Sequence, residues 1–154
     1  MDSEHEQVEK LSESDCWLIL RTVQLGRLAV STPNGVDIFP MNFVVDHGTV
    51  VFRTAPGVKL TAALTGDPVA FEADGEQAAT HLLWSVVIHG RASEISDLDE
   101  SLDTLRLPLT PAQAANKSRL LRITPHSVTG RRFSPTDPQR WATPISHSSR
   151  APVE

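Results

Sequence analysis

Residues Asp37–Leu60 read DIFPMNFVVDHGTVVFRTAPGVKL, two strand-like runs that meet at the tight turn Asp46-His47-Gly48. The first run, about 36–45, is apolar on both faces, as expected of a barrel strand buried on two sides. Pro40 stands in its middle and removes a ladder donor, which places that position at a bulge or a sheet edge. The second run, Thr49–Thr54, ends in Arg53-Thr54, and Gly57-Val58-Lys59 opens a short helix over 58–64. Two cations and a hydroxyl therefore gather where a strand hands over to a helix N-terminus. Unpaired N–H groups and the positive end of a helix dipole favour a phosphate at such a junction. Pro40-Met41-Asn42 on the neighbouring strand offer backbone groups and a soft side chain to a flat ligand. The pattern fits a phosphorylated aromatic cofactor.

Outward from this stretch, short strands follow one another with few helices between them. Ser12 is placed to cap a helix over 13–24, with Cys16, Ile19, Leu20 and Val23 on one stripe. Arg27–Ser31 reads as a strand closed by the turn Pro33-Asn34-Gly35. Further strands are expected at Val69–Ala73, Trp84–Ala92, Ser118–Thr124 and Val128–Phe133, the last two broken at Pro125. A helix is expected over 98–105, its acidic start from Asp97 to Asp103 suiting a helix N-terminus. The fold class is mainly β with flanking short helices, a split barrel of six or seven antiparallel strands. Residues 1–10 form a mobile polar segment, 11–133 the domain, and 134–154 a Pro/Ser/Thr-rich disordered tail.

The 154 residues carry 14 Lys and Arg against 19 Asp and Glu, a net charge of -5, which argues against a broad nucleic-acid-binding face. A single cysteine, Cys16, excludes an internal disulfide framework and points to a reducing cytoplasm. The N-terminus lacks the apolar core of a secretory signal, and no run approaches the ~20 apolar residues of a membrane span. The expectation is a cytoplasmic protein with neither membrane nor nucleic acid as partner.

In this order along the chain, several segments resemble the pyridoxamine 5′-phosphate oxidase-like family, the flavin-binding split barrels. They are Gly26–Val30, Asp37–Asp46, Phe52-Arg53-Thr54 with Lys59, Val69–Glu72, Trp84–Val87 with Gly90-Arg91-Ala92, and Val128–Arg131. The chain looks closest to the small actinobacterial-type members and is similar to nitroimidazole-resistance reductases. The resemblance implies a homodimer with two cofactor sites at the interface. It implies FMN, or in some branches a deazaflavin coenzyme or haem. Position by position, Arg53, Thr54 and Lys59 would hold the FMN phosphate. Pro40, Met41 and Asn42 would line the isoalloxazine ring, and Trp84 and Ser85 would approach the cofactor from the partner subunit. Only Arg131-Arg132 offers cations near the C-terminus for a second phosphate, so pyridoxamine phosphate oxidation is not what the chain is expected to perform.

Each of these residues also has a plainer reading. Arg53 and Lys59 can be solvated surface charges, Met41 core filler, Trp84 interface packing, Trp17 helix packing and Cys16 a small buried hydrophobe. The six histidines show no metal-ligand spacing, and His89 is the one that an axial haem role would need. No catalytic residue and no metal site can be assigned. The leading expectation is an FMN-dependent oxidoreductase acting on a small organic acceptor. Its rivals are a non-catalytic flavin or haem binding or storage module and a deazaflavin-dependent reductase.

Overall fold

The computed structural model describes residues 8–95 and 119–135. Within them the element order is β1 (Glu9–Leu11), α1 (Glu13–Leu20), β2 (Leu25–Thr32), β3 (Gly35–Asn42), β4 (Val44–Asp46), β5 (Thr49–Thr54), α2 (Val58–Ala63), β6 (Val69–Glu76), β7 (Leu83–Glu94) and β8 (Arg119–Phe133). The strands form one antiparallel sheet in the order β3-β2-β6-β7-β8-β5-β4, with β1 added along β8. The eight strands exceed the expected six or seven: Glu9 and Lys10, read as part of a polar tail, pair with Arg132 and Arg131 to add β1, and the run 36–45 gives two strands, while those expected on either side of Pro125 are one.

The run expected as one strand over 36–45 is two strands at opposite ends of the sheet path. The break lies at Phe43, whose N–H donates to the Gln24 carbonyl at 3.0 Å. The chain thus crosses from one sheet edge to the other without a loop, and this crossing curls the sheet into a barrel. Phe43 turns inward and meets Phe71 edge to face, ring centroids 4.8 Å apart. Pro40 pairs with Arg27 on the edge strand β3, where its missing N–H costs no ladder bond on the outer side. In place of burial on two faces, most of β3 is open to solvent, with Val36 71% and Ile38 66% exposed.

Alternation sorts the rest. Leu28, Val30, Phe52, Phe71, Trp84, Val86, Ile88, Leu121 and Ile123 face the core, closed at one end by Cys16, Ile19 and Leu20 of α1. Ser12 caps α1 by accepting from the Asp15 N–H at 3.1 Å. The helix ends at Leu20, earlier than expected, and Val23 packs on the core from the following turn. The β4–β5 turn has His47 and Gly48 both at positive φ, 46° and 70°, as a two-residue hairpin with native twist requires. Asp46 fixes this turn by meeting His47 Nδ1 at 2.8 Å and accepting from Arg122 Nη1 at 2.9 Å.

The break expected at Pro125 is absent: β8 runs through it as one strand. Pro125 faces Gly90 at a register shift in the β7–β8 ladder, where His126 is the extra residue. A proline at a bulge breaks no regular pairing. At Gly90, a Cβ would come within 2.2 Å of the Thr124 carbonyl, so this position needs glycine for the close crossing. The helix expected over 98–105, Trp141 and the tail beyond residue 135 lie outside the described residues. Among the described residues, no helix is long and apolar enough to cross a membrane.

Candidate functional site

The site expected from the sequence has its phosphate end where β5 gives way to α2. β5 alternates, so adjacent Arg53 and Thr54 leave it on opposite faces. Thr54 is 7% exposed, on the face of Val50 and Phe52, and its hydroxyl donates to the Ala55 carbonyl at 3.3 Å. Arg53 is half-buried on the other face, paired in register with Leu120. Lys59, in the first turn of α2, is half-buried as well. Its Nζ lies 5.5 Å from the centroid of the Phe39 ring on β3. Burial pushes the Lys59 ammonium below its ordinary value of 10.5. Among the described residues no carboxylate pairs with it. A partly desolvated cation over an aromatic face, with no resident counter-ion, suits an incoming anion.

The ring-lining residues divide by face. Met41 is 5% exposed and belongs to the core, as does Trp84 at 2%. The Trp84 indole lies over Gly75, its cross-strand partner, whose missing side chain makes room for it. Those two side chains pack inside their own chain, so an outer ligand could meet only their backbone. Pro40 and Asn42 sit on the opposite face of β3 and are exposed. Pro40 starts a cross-strand row that continues through Arg27 of β2, Glu72 of β6 and Val87 of β7. Arg27 Nη1 contacts Glu72 Oε1 at 3.1 Å and Asp74 Oδ2 at 3.5 Å. Burial, with Asp74 alongside, raises Glu72 above its ordinary value against the opposing pull of Arg27.

Ser85 lies on that same outer face but further along, beside Arg131 and Asp74 in register. It is not near Arg53 in the same chain. Leu120, opposite Arg53, and Arg131, opposite Ser85, are separated by roughly 35 Å of strand contour at ~3.3 Å per residue. The structure thus places Lys59 against Phe39, leaves Pro40 and Asn42 open on the sheet edge, and takes Ser85 far along the sheet from Arg53. Periodicity in β5 and β7 could have separated Arg53 from Thr54 and Trp84 from Ser85. The Arg27–Glu72–Asp74 group depends on register between strands 45 residues apart in sequence, and no local signal announces it.

Other candidates take the plainer reading. Cys16 is fully buried, and burial followed by Asp15 and Glu13 raises its thiol, which leaves it inert. Trp17 packs against the core. No group of three or more metal-ligating side chains occurs among the described residues. His89 is exposed and lies beside His126 with ring centroids 6.4 Å apart.

A curled antiparallel sheet closed by one strand crossing, with two short helices and an open edge beside a desolvated lysine, is a split barrel. The family model described as pyridoxamine 5′-phosphate oxidase matches residues 12–132, and the chain belongs to that family. It is similar to an uncharacterised protein of Mycobacterium tuberculosis, 38% identical over 102 residues, covering 65% of this chain and 90% of the relative. The FAD-binding protein of Mycobacterium smegmatis superposes with a TM-score of 0.75 at 39% identity, over 83% of this chain and 100% of that one. A FAD-binding protein of Mesorhizobium loti, at 21% identity and a TM-score of 0.74, shares the fold over 84% of this chain and 99% of its own.

Proposed function

We propose that the protein binds a flavin nucleotide and uses it to pass hydride or electrons to a small organic acceptor. The observation that carries this reading is Lys59: a half-buried ammonium beside Phe39, with no carboxylate partner among the described residues, in a chain of this family. Its charge is matched by a flavin phosphate. Exposed Ala55, Pro56 and Gly57 lead from Thr54 into α2, while Arg53 leaves β5 on the face opposite Thr54. Pro40 and Asn42 offer the ring an open edge. The flavin supplies the redox chemistry. The chain's own part is to neutralise the phosphate, hold the ring edge and leave one face accessible.

FMN satisfies one phosphate anchor. FAD is the alternative, favoured by the name of the 39%-identical Mycobacterium smegmatis protein. That name describes binding rather than turnover, and it supports a second reading in which the protein stores or carries a flavin. A second copy of the chain covers β3 in either case, because an unpaired edge strand bearing exposed Val36 and Ile38 is an assembly surface. Steady-state assays of the flavin-loaded protein with NADPH and a nitroaromatic or quinone acceptor separate the two readings. Oxidation of NADPH above the rate of unbound flavin supports the reductase. A saturated flavoprotein that never exceeds that rate supports storage and overturns catalysis.

A further inference from the structure

We infer a metal site at the bulge of β8, where His89 and His126 present two imidazoles to one late first-row divalent ion such as Zn²⁺ or Cu²⁺. Their ring centroids lie 6.4 Å apart, with the ring planes tilted 33° from one another. The inference stands independently of the flavin reading.

The pair is a product of the bulge. Leu121 and Ile123 belong to the core, so odd-numbered positions face inward in the first half of β8. In the second half Val128 and Gly130 face inward, so the even-numbered positions do. The phase changes between them because His126 is the extra residue where the ladder shifts opposite His89 and Gly90. Strict alternation from Val128 would turn His126 into the core. It is instead exposed beside His89. The close crossing of Gly90 over the Thr124 carbonyl holds the shift in place, so the two rings are carried on paired strands rather than on a loop.

Geometry and donor chemistry both suit one shared ion. With Zn–N distances of ~2.0–2.1 Å, two imidazoles on one ion have centroids roughly 5 to 6.5 Å apart, from tetrahedral to linear. Both rings are exposed, and a modest side-chain rotation reaches the tetrahedral end of that range. Ser127 Oγ stands 3.5 Å from His89 Nδ1, where a second partner fixes the tautomer of a ligating imidazole and leaves Nε2 for the ion. Among the described residues no carboxylate pairs with either ring, whereas His47 and His81 are taken by Asp46 and Glu76. The residue opposite His89 on β6 is Ala70, which is neutral. The nearby cation of β7, Arg91, is engaged by the Gly66 carbonyl. Two neutral nitrogen donors completed by water select late first-row ions and give Mg²⁺ or Ca²⁺ none of the anionic oxygens they require.

The test is titration of the isotope-labelled full chain, purified without a histidine tag, with Zn²⁺ followed by amide and imidazole chemical shifts, with Mg²⁺ as control. Saturable shifts should centre on His89, His126 and Ser127 at one ion per chain, and Mg²⁺ should leave them unmoved. Electron paramagnetic resonance of the Cu²⁺-loaded chain should show hyperfine coupling to two imidazole nitrogens. His89→Ala and His126→Ala should each weaken Zn²⁺ binding at least about tenfold, the lower end of what even outer partners of a metal ligand contribute. Both side chains are exposed, so the unperturbed spectrum of each variant reports that it is folded. Lys59→Met should leave this binding unchanged, which separates the site from the flavin anchor. Parental affinity in either alanine variant, or shifts centred on His47 with Asp46 or on His81 with Glu76, would overturn the assignment.

Discussion

Lys59 and Asp46 show how single side chains in this protein carry opposite electrostatic roles. Asp46 is satisfied within the fold. Burial alone would raise its carboxyl, but the hydrogen bonds from Arg122 and His47 and their charges outweigh it and hold the group below 3.8. A depressed carboxylate stabilises the fold above its unfolded value and loses that contribution as pH falls through the folded value. Acid unfolding should therefore be sensitive to this group below about pH 4, and Asp46→Asn should cost about 1–3 kcal/mol at neutral pH by removing the charge that faces Arg122. Denaturant unfolding at two pH values checks both; equal stability of variant and parent at pH 7 would contradict it. Lys59 has the complementary sign: burial disfavours its charged form. Much of this was legible in the sequence, since a lysine opening a helix after Arg53-Thr54 marks the junction. The inward facing of Trp84 and Met41, which the plainer reading of core and packing residues allows, has no local signal that decides it. A strand beginning beside a polar loop looks open, and only the register with Gly75 shows that the indole has a place inside.

At the scale of elements, the hairpins were the most legible, because His47-Gly48 and Pro33-Asn34-Gly35 carry local turn chemistry. The division of 36–45 into β3 and β4 was hidden. Nothing in a run of apolar residues says that Phe43 passes from one sheet edge to the other; that follows from closure of the whole barrel. Pro125 misled for the related reason that a proline signals a break unless a bulge receives it. Close approaches between elements also leave a testable mark. A Cβ at Gly130 of β8 would lie 2.5 Å from Cys16 Sγ of α1. Gly130→Ala should cost about 1–3 kcal/mol by overpacking. Cys16→Ala in the same chain should recover part of it, giving a coupling measurable by a double-mutant cycle of thermal or urea unfolding. Strictly additive losses would show that the helix and strand do not meet as described. On β3, Ile38→Glu and Val36→Glu alter only exposed positions and should leave the fold intact while shifting sedimentation from dimer toward monomer. An unchanged sedimentation coefficient would place the assembly surface elsewhere.

For the whole molecule, one strand crossing closes the barrel and leaves β3 as an open edge. The core is continuous from α1 through β2, β6, β7 and β8, so the junction of β5 and α2 is carried on a rigid frame. Lys59 there is a half-buried ammonium with no carboxylate partner among the described residues. Binding of a flavin phosphate should return that group toward its ordinary value. Affinity should therefore fall as pH rises through the lowered Lys59 value, below 10.5. The most direct measurement is fluorescence titration of FMN and of FAD with the purified full chain, parent and Lys59→Met side by side. Saturable quenching by the parent is expected, with Lys59→Met weaker by about 1.5–3 kcal/mol, as for a hydrogen bond to a charged group. Unsaturable quenching with both flavins, or equal affinity in a folded Lys59→Met protein, would contradict it.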